Sequence, residues 1–80
     1  MELEVFIHID FAWGLYKITH KIDGIYIAEL LQKARYLNYS FPKKVQLIHK
    51  HGKWDIDHQN MDVAEQLTSI IDEAIKQNKL

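Results

Sequence analysis

The sequence predicts a two-layer α+β fold: an antiparallel sheet of about five strands (two hairpins plus an N-terminal strand) with one C-terminal amphipathic helix packed on one face. Three observations predict it. Residues 2–9 and 45–58 alternate apolar and polar side chains, the period-two signature of half-buried strands. Asp23-Gly24 and His51-Gly52 each separate two such runs, and both pairs tolerate the positive φ that a two-residue hairpin turn needs. Residues 63–75 carry apolar side chains at spacings of three and four, the period of a helix with one buried stripe.

The first strand sets Leu3, Val5, Ile7 and Ile9 against Glu2, Glu4, Phe6 and His8, so its buried face is fixed by alternation alone. Asp10 to Gly14 is predicted as a turn, with Phe11 and Trp13 capping an open end of the core. Leu15 to Lys21 follows as the second strand, with Tyr16, Ile18 and His20 on one side and Lys17, Thr19 and Lys21 on the other. After Asp23-Gly24 the third strand runs from Ile25 to about Leu31. Tyr26 and Ala28 are assigned with Phe6, His8 and Ile48 to the face away from the helix.

Between Gln32 and Lys44 no period persists, and Phe41-Pro42 stops any helical turn because a residue before proline is pushed to extended geometry. Placing His51-Gly52 in a turn then fixes a register: Lys50 with Lys53, His49 with Trp54, Leu47 with Ile56 and Val45 with His58. Val45, Leu47, His49, Trp54, Ile56 and His58 share the buried face. In the helix, Asp62 or Asn60 is the expected cap, and Asp62 with Glu65 has capping-box spacing. The expected stripe is Val63, Leu67, Ile70, Ile71, Ala74 and Ile75. Strand order is left between a simple meander and an arrangement with the first strand beside the fourth.

Eighty residues make a single domain, 1–80, and a chain of that size has a small margin of stability. With no cysteine, neither a disulfide nor a thiolate metal site supplements the core. The acidic start, Met1-Glu2-Leu3-Glu4, runs directly into a strand pattern, and no run of about twenty apolar residues occurs, so the expectation is a soluble, cytoplasmic protein with no membrane contact.

The formal net charge of -1 conceals a basic centre, since residues 17–53 carry eight cations against two carboxylates. Five histidines, at 8, 20, 49, 51 and 58, raise the question of a metal site. His49 and His51 have a ligand-like spacing, but His51 belongs to a turn, and His58 lies on the order of 13 Å along the hairpin from His49, too far for shared coordination. No metal and no other cofactor is therefore expected. Catalysis is not expected either: Ser40 and Ser69 stand in no nucleophile context, Asp55 and Asp57 lie on a solvated strand face, and the three glycines form no phosphate loop.

What remains is recognition. The expected function is a small non-catalytic protein-interaction module, accessory or inhibitor-like, acting through a sheet edge or face on a protein partner or on a second copy as a homodimer. The alternative is single-stranded nucleic-acid binding through the Lys33–Lys44 segment, where cations and rings interleave. The candidate contact residues are Arg35, Tyr36, Tyr39, Phe41, Lys43 and Lys44, although Tyr36, Leu37, Tyr39 and Phe41 serve equally as a lid that closes one end of the core, the reading favoured because a small domain needs every aromatic it has.

Overall fold

A computed structural model of the chain describes residues 2–34, 40–56 and 61–79. It contains five strands, β1 (Glu2–Ile9), β2 (Ala12–Ile22), β3 (Ile25–Lys33), β4 (Lys44–Lys50) and β5 (Lys53–Asp55), followed by the helix α1 (Met61–Lys76). The strands form one antiparallel sheet in the order β1-β2-β3-β4-β5, a meander. The chain thus forms the α+β sheet-and-helix fold read from its pattern.

The turns follow from residues that accept a left-handed backbone. Gly24 has φ 77°, and His51 and Gly52 have φ 53° and 75°. The β4–β5 register pairs Lys50 with Lys53 and His49 with Trp54 as expected, but β5 ends at Asp55 and the expected pair Leu47–Ile56 does not continue the ladder. The expected pair Val45–His58 lies outside the described residues. The first turn differs. It takes only Asp10, at φ 54°, and Phe11, and Ile9 pairs directly with Ala12. Gly14 is therefore a strand residue, and its missing Cβ makes room for the Phe41 ring, which a methyl group there would meet at 3.1 Å. Phe11 caps nothing; it stands fully exposed at the hairpin tip.

A larger correction concerns Tyr26 and Ala28. A two-residue turn at Asp23-Gly24 pairs Ile22 with Ile25, and uninterrupted pairing would set Tyr26 opposite Lys21 on the outer face. A register shift between His20 and Ile22 instead pairs His20 with Tyr26 and Ile18 with Ala28. Lys21 is the extra residue of a β-bulge, and one extra residue exchanges the faces of everything beyond it. Tyr26 and Ala28 accordingly join the core. A second shift between Leu15 and Tyr16 leaves Leu31 as the extra residue on β3.

The core lies between the sheet and α1. Ile7, Tyr16, Ile18, Ala28 and Leu47 from the strands and Val63, Ala64, Leu67 and Ile71 from the helix are fully buried; each large aliphatic side chain so buried contributes about 1.5–3 kcal/mol. The buried helix face is turned relative to expectation. Ala64 and Thr68 belong to it, whereas Ile75 is exposed. Asp62 sits within the first helical turn, where its charge favours the helix dipole, rather than at the cap. The other cap candidate, Asn60, lies outside the described residues.

Two side chains tie α1 to opposite sides of the sheet. Gln66 donates from Nε2 to the His8 carbonyl at 2.6 Å and accepts the His8 N–H at 3.2 Å through Oε1. Trp54 donates from Nε1 to Asp72 Oδ1 at 3.1 Å. Gln66 thus supplies His8 with what a sixth strand would have supplied. On the same side of the sheet, Tyr26 stacks on His20 (centroids 4.5 Å apart) and meets Trp54 at 5.6 Å, while Trp54 meets His49 at 4.7 Å.

This ladder makes an alkaline prediction. Burial, reinforced by the carboxylates of Asp72 and Asp23, pushes the Tyr26 hydroxyl above its ordinary value. A group whose pKa is higher folded than unfolded contributes stability that is complete below the unfolded value, about 10, and is lost as pH rises through the folded one. The melting temperature should fall above about pH 10, and Tyr26→Phe should make that fall shallower. Parallel curves for the two proteins would remove Tyr26 as a cause.

Candidate interaction surface

The helix covers one face of the sheet, and no other helix or strand among the described residues lies over the opposite face, where the outward-pointing residues of β1–β5 form one surface. Register arranges them in rows across the strands. At one end His8 pairs with Trp13 and Phe6 with Leu15. Phe6 makes an edge-on contact with Trp13 at 5.7 Å and lies 6.4 Å from His8. At the other end Ile22 pairs with Ile25 and Ile25 with Ile48, with Ile27 beside them.

Between these apolar ends runs a row of alternating charge. Glu4 pairs with Lys17, Lys17 with Glu29, and Glu29 with Lys44. Opposite charges directly across neighbouring strands contribute roughly 0.2–1 kcal/mol a pair. The row depends on the Lys21 bulge, without which Lys17 would face Leu30.

The apolar ends are partly exposed. Phe6 is 56% exposed, Ile22 65% and Leu31 46%, and Trp13, Leu15, Ile25, Ile27 and Ile48 are half-buried. The face thus carries two separate apolar areas divided by the charged row, and exposed apolar area and aromatic rings are both enriched at interaction surfaces. Ile27, Gln46, Ile48 and Asp55 also line a shallow groove on this face.

The β1 edge of the sheet is less open. On β1 the backbone groups of His8 are taken by Gln66, and those of Glu2, Glu4 and Phe6 point the same way because alternate residues do. Two of those three positions carry negative charge, a common protection of an edge strand. At the opposite edge β5 has three residues and pairs only with Ile48, His49 and Lys50, so among the described residues the earlier part of β4 belongs to that edge too.

Of the six residues expected to make contacts, Arg35, Tyr36 and Tyr39 lie outside the described residues. Phe41 is 4% exposed and sets its ring edge-on to Tyr16, whose hydroxyl donates to the Pro42 carbonyl at 2.7 Å. Its ring closes the core and is not presented to a partner. Lys43 and Lys44 are exposed, and Lys44 ends the charged row.

Phe6, His8 and Ile48 lie on this outer face as the alternation predicts, whereas alternation alone does not join Leu15, Ile22 and Ile25 to them, because that proximity follows from two hairpin registers and a bulge. Among the described residues, no three His, Asp or Glu side chains gather as a metal set would, and no helix is long and apolar enough to cross a membrane. No protein-family model, curated protein or solved structure matches the chain.

Proposed function

We propose that the chain is a small protein-interaction module whose contact surface is the outer face of its sheet. The observation that carries this reading is the exposure of Phe6, Ile22 and Leu31 on or beside a face already lined by Trp13, Leu15, Ile25, Ile27 and Ile48. Uncovered area of that kind raises the free energy of an isolated domain and lowers it on association. The face is favoured over the β1 edge because Gln66 occupies part of that edge. The alternative, single-stranded nucleic acid along Lys33–Lys44, has lysines to neutralise phosphates but loses Phe41 to the core, and with it a base-stacking ring.

The test is site-specific photocrosslinking in cells that make the protein natively. A photoreactive residue at Ile27, on the outer face, should yield protein adducts that resist nuclease, while the same residue at Glu73, on the exposed side of α1, should yield few. Adducts from Glu73 alone, or from neither position, would overturn the reading. Nuclease-sensitive adducts would point to the Lys33–Lys44 alternative.

A further inference from the structure

We infer that the partner of the outer face is a second copy of this chain, docked face to face about a two-fold axis parallel to the strands and passing between β2 and β3. The inference rests on the reading of that face as an interaction surface and adds the occupant. Its basis is the order of charges in the central row, which runs Glu4, Lys17, Glu29, Lys44 from β1 to β4.

Two sheets brought together by a two-fold axis in their common plane have two simple choices. An axis across the strands sets each strand on its own copy, so Glu4 meets Glu4 and Lys17 meets Lys17. An axis along the strands reverses strand order, so β1 lies over the second copy's β4 and β2 over its β3. The row then reads Lys, Glu, Lys, Glu against Glu, Lys, Glu, Lys. Glu4 faces the second copy's Lys44, and Lys17 faces the second copy's Glu29. Every pair occurs twice by symmetry, as in any isologous interface.

The apolar row at the β2–β3 turn fits the same rotation, whereas at the other end Leu15 comes opposite the second copy's Gln32. Ile22 comes opposite the second copy's Ile25, and Thr19 opposite its Ile27. Aligned packing of two antiparallel sheets is a common way to close such faces. Four strands about 4.8 Å apart and on the order of eight residues long span roughly 500 Å² in projection. Side-chain relief brings the accessible area toward the roughly 800 Å² each partner gives to a standard interface. The row also pairs its charges within one sheet, so the test has to separate contacts within a copy from contacts between copies.

Sedimentation equilibrium of the purified chain measures the association directly. The unaltered protein should be a dimer at micromolar concentrations. Lys17→Glu places like charges at two symmetry-related contacts and should weaken association about tenfold or more. Adding Glu29→Lys restores every contact between copies, because Glu4, Lys17→Glu, Glu29→Lys and Lys44 still oppose unlike charges under strand reversal. It leaves like charges side by side within each sheet at Glu4 with position 17 and at position 29 with Lys44. Recovery of the dimer in the double variant therefore reports the contact between copies. A chain that stays monomeric to millimolar concentration overturns the inference, as does a dimer indifferent to both variants. A monomer that still forms protein adducts from Ile27 would end self-association and leave the interaction surface standing. A monomer with no adducts would end both.

Discussion

Gly24→Ala should cost about 2–4 kcal/mol, adding the penalty of about 1–2 kcal/mol for a Cβ in left-handed backbone to the loss of a close backbone contact. Gly24 has φ 77°, its carbonyl accepts the His49 N–H at 2.7 Å, and a Cβ there would collide with the His49 carbonyl oxygen. The β2–β3 turn is thus bonded to the end of β4 through main chain on both sides. An added methyl cannot be accommodated by turning a side chain, because the obstacle is a carbonyl of the neighbouring strand. Gly52 is the control. It has φ 75° but nothing within 4 Å of where a Cβ would stand, so Gly52→Ala should cost about 1–2 kcal/mol, the conformational penalty alone. For a domain of this size the melting temperature moves about 4–8 °C per kcal/mol, so thermal unfolding resolves the difference. Equal losses for the two variants would show that the turn does not need its contact with His49.

The same turn marks where the sequence is legible and where it stops being so. Positive-φ residues and alternation act within a few residues, and they place the turns at Asp23-Gly24 and His51-Gly52 together with the inward face of β1. The Lys21 bulge has no comparable signature. It is an extra residue tolerated because His20, stacked on Tyr26, keeps the inward face filled. That shift moves Tyr26 and Ala28 to the core and sets Lys17 opposite Glu29, so the charged row was invisible for the same reason that two core residues were misplaced. Gly14 misleads in a different way. A glycine after Asp10-Phe11 resembles part of a longer turn, yet it is small because Phe41, distant in sequence, packs against it. Phe41 takes the lid role rather than the contact role, a choice that composition leaves open because it does not distinguish a ring that stacks on a ligand from one that seals a core.

Leu67→Ala should cost about 2–5 kcal/mol, the range for deleting a fully buried leucine side chain and leaving a cavity. A domain of this size has roughly 4–12 kcal/mol in total, so this one change removes a large part of its stability. Leu67 is 0% exposed, in the middle of the buried stripe of α1. The informative comparison is Ile75, which falls in the same stripe when helical spacing alone is counted but is 36% exposed. Ile75→Ala removes a partly wet side chain and gains a few tenths of a kcal/mol of helix propensity, so it should change stability by no more than about 0.5 kcal/mol. Ala64 tests the opposite limit. It is fully buried against the sheet, and Ala64→Leu should destabilise by about 1–3 kcal/mol through overpacking. Chemical denaturation of the three variants reads the rotation of the helix about its axis. A large loss at Ile75 with a small one at Ala64 would rotate α1 away from the phase described here, and with it the assignment of Gln66 to His8 and Asp72 to Trp54. The described phase follows from competition among these residues. Placing Ala64 and Thr68 against the sheet lets the helix approach closely, and that approach allows Gln66 on one side and Asp72 on the other to reach the strands they bind.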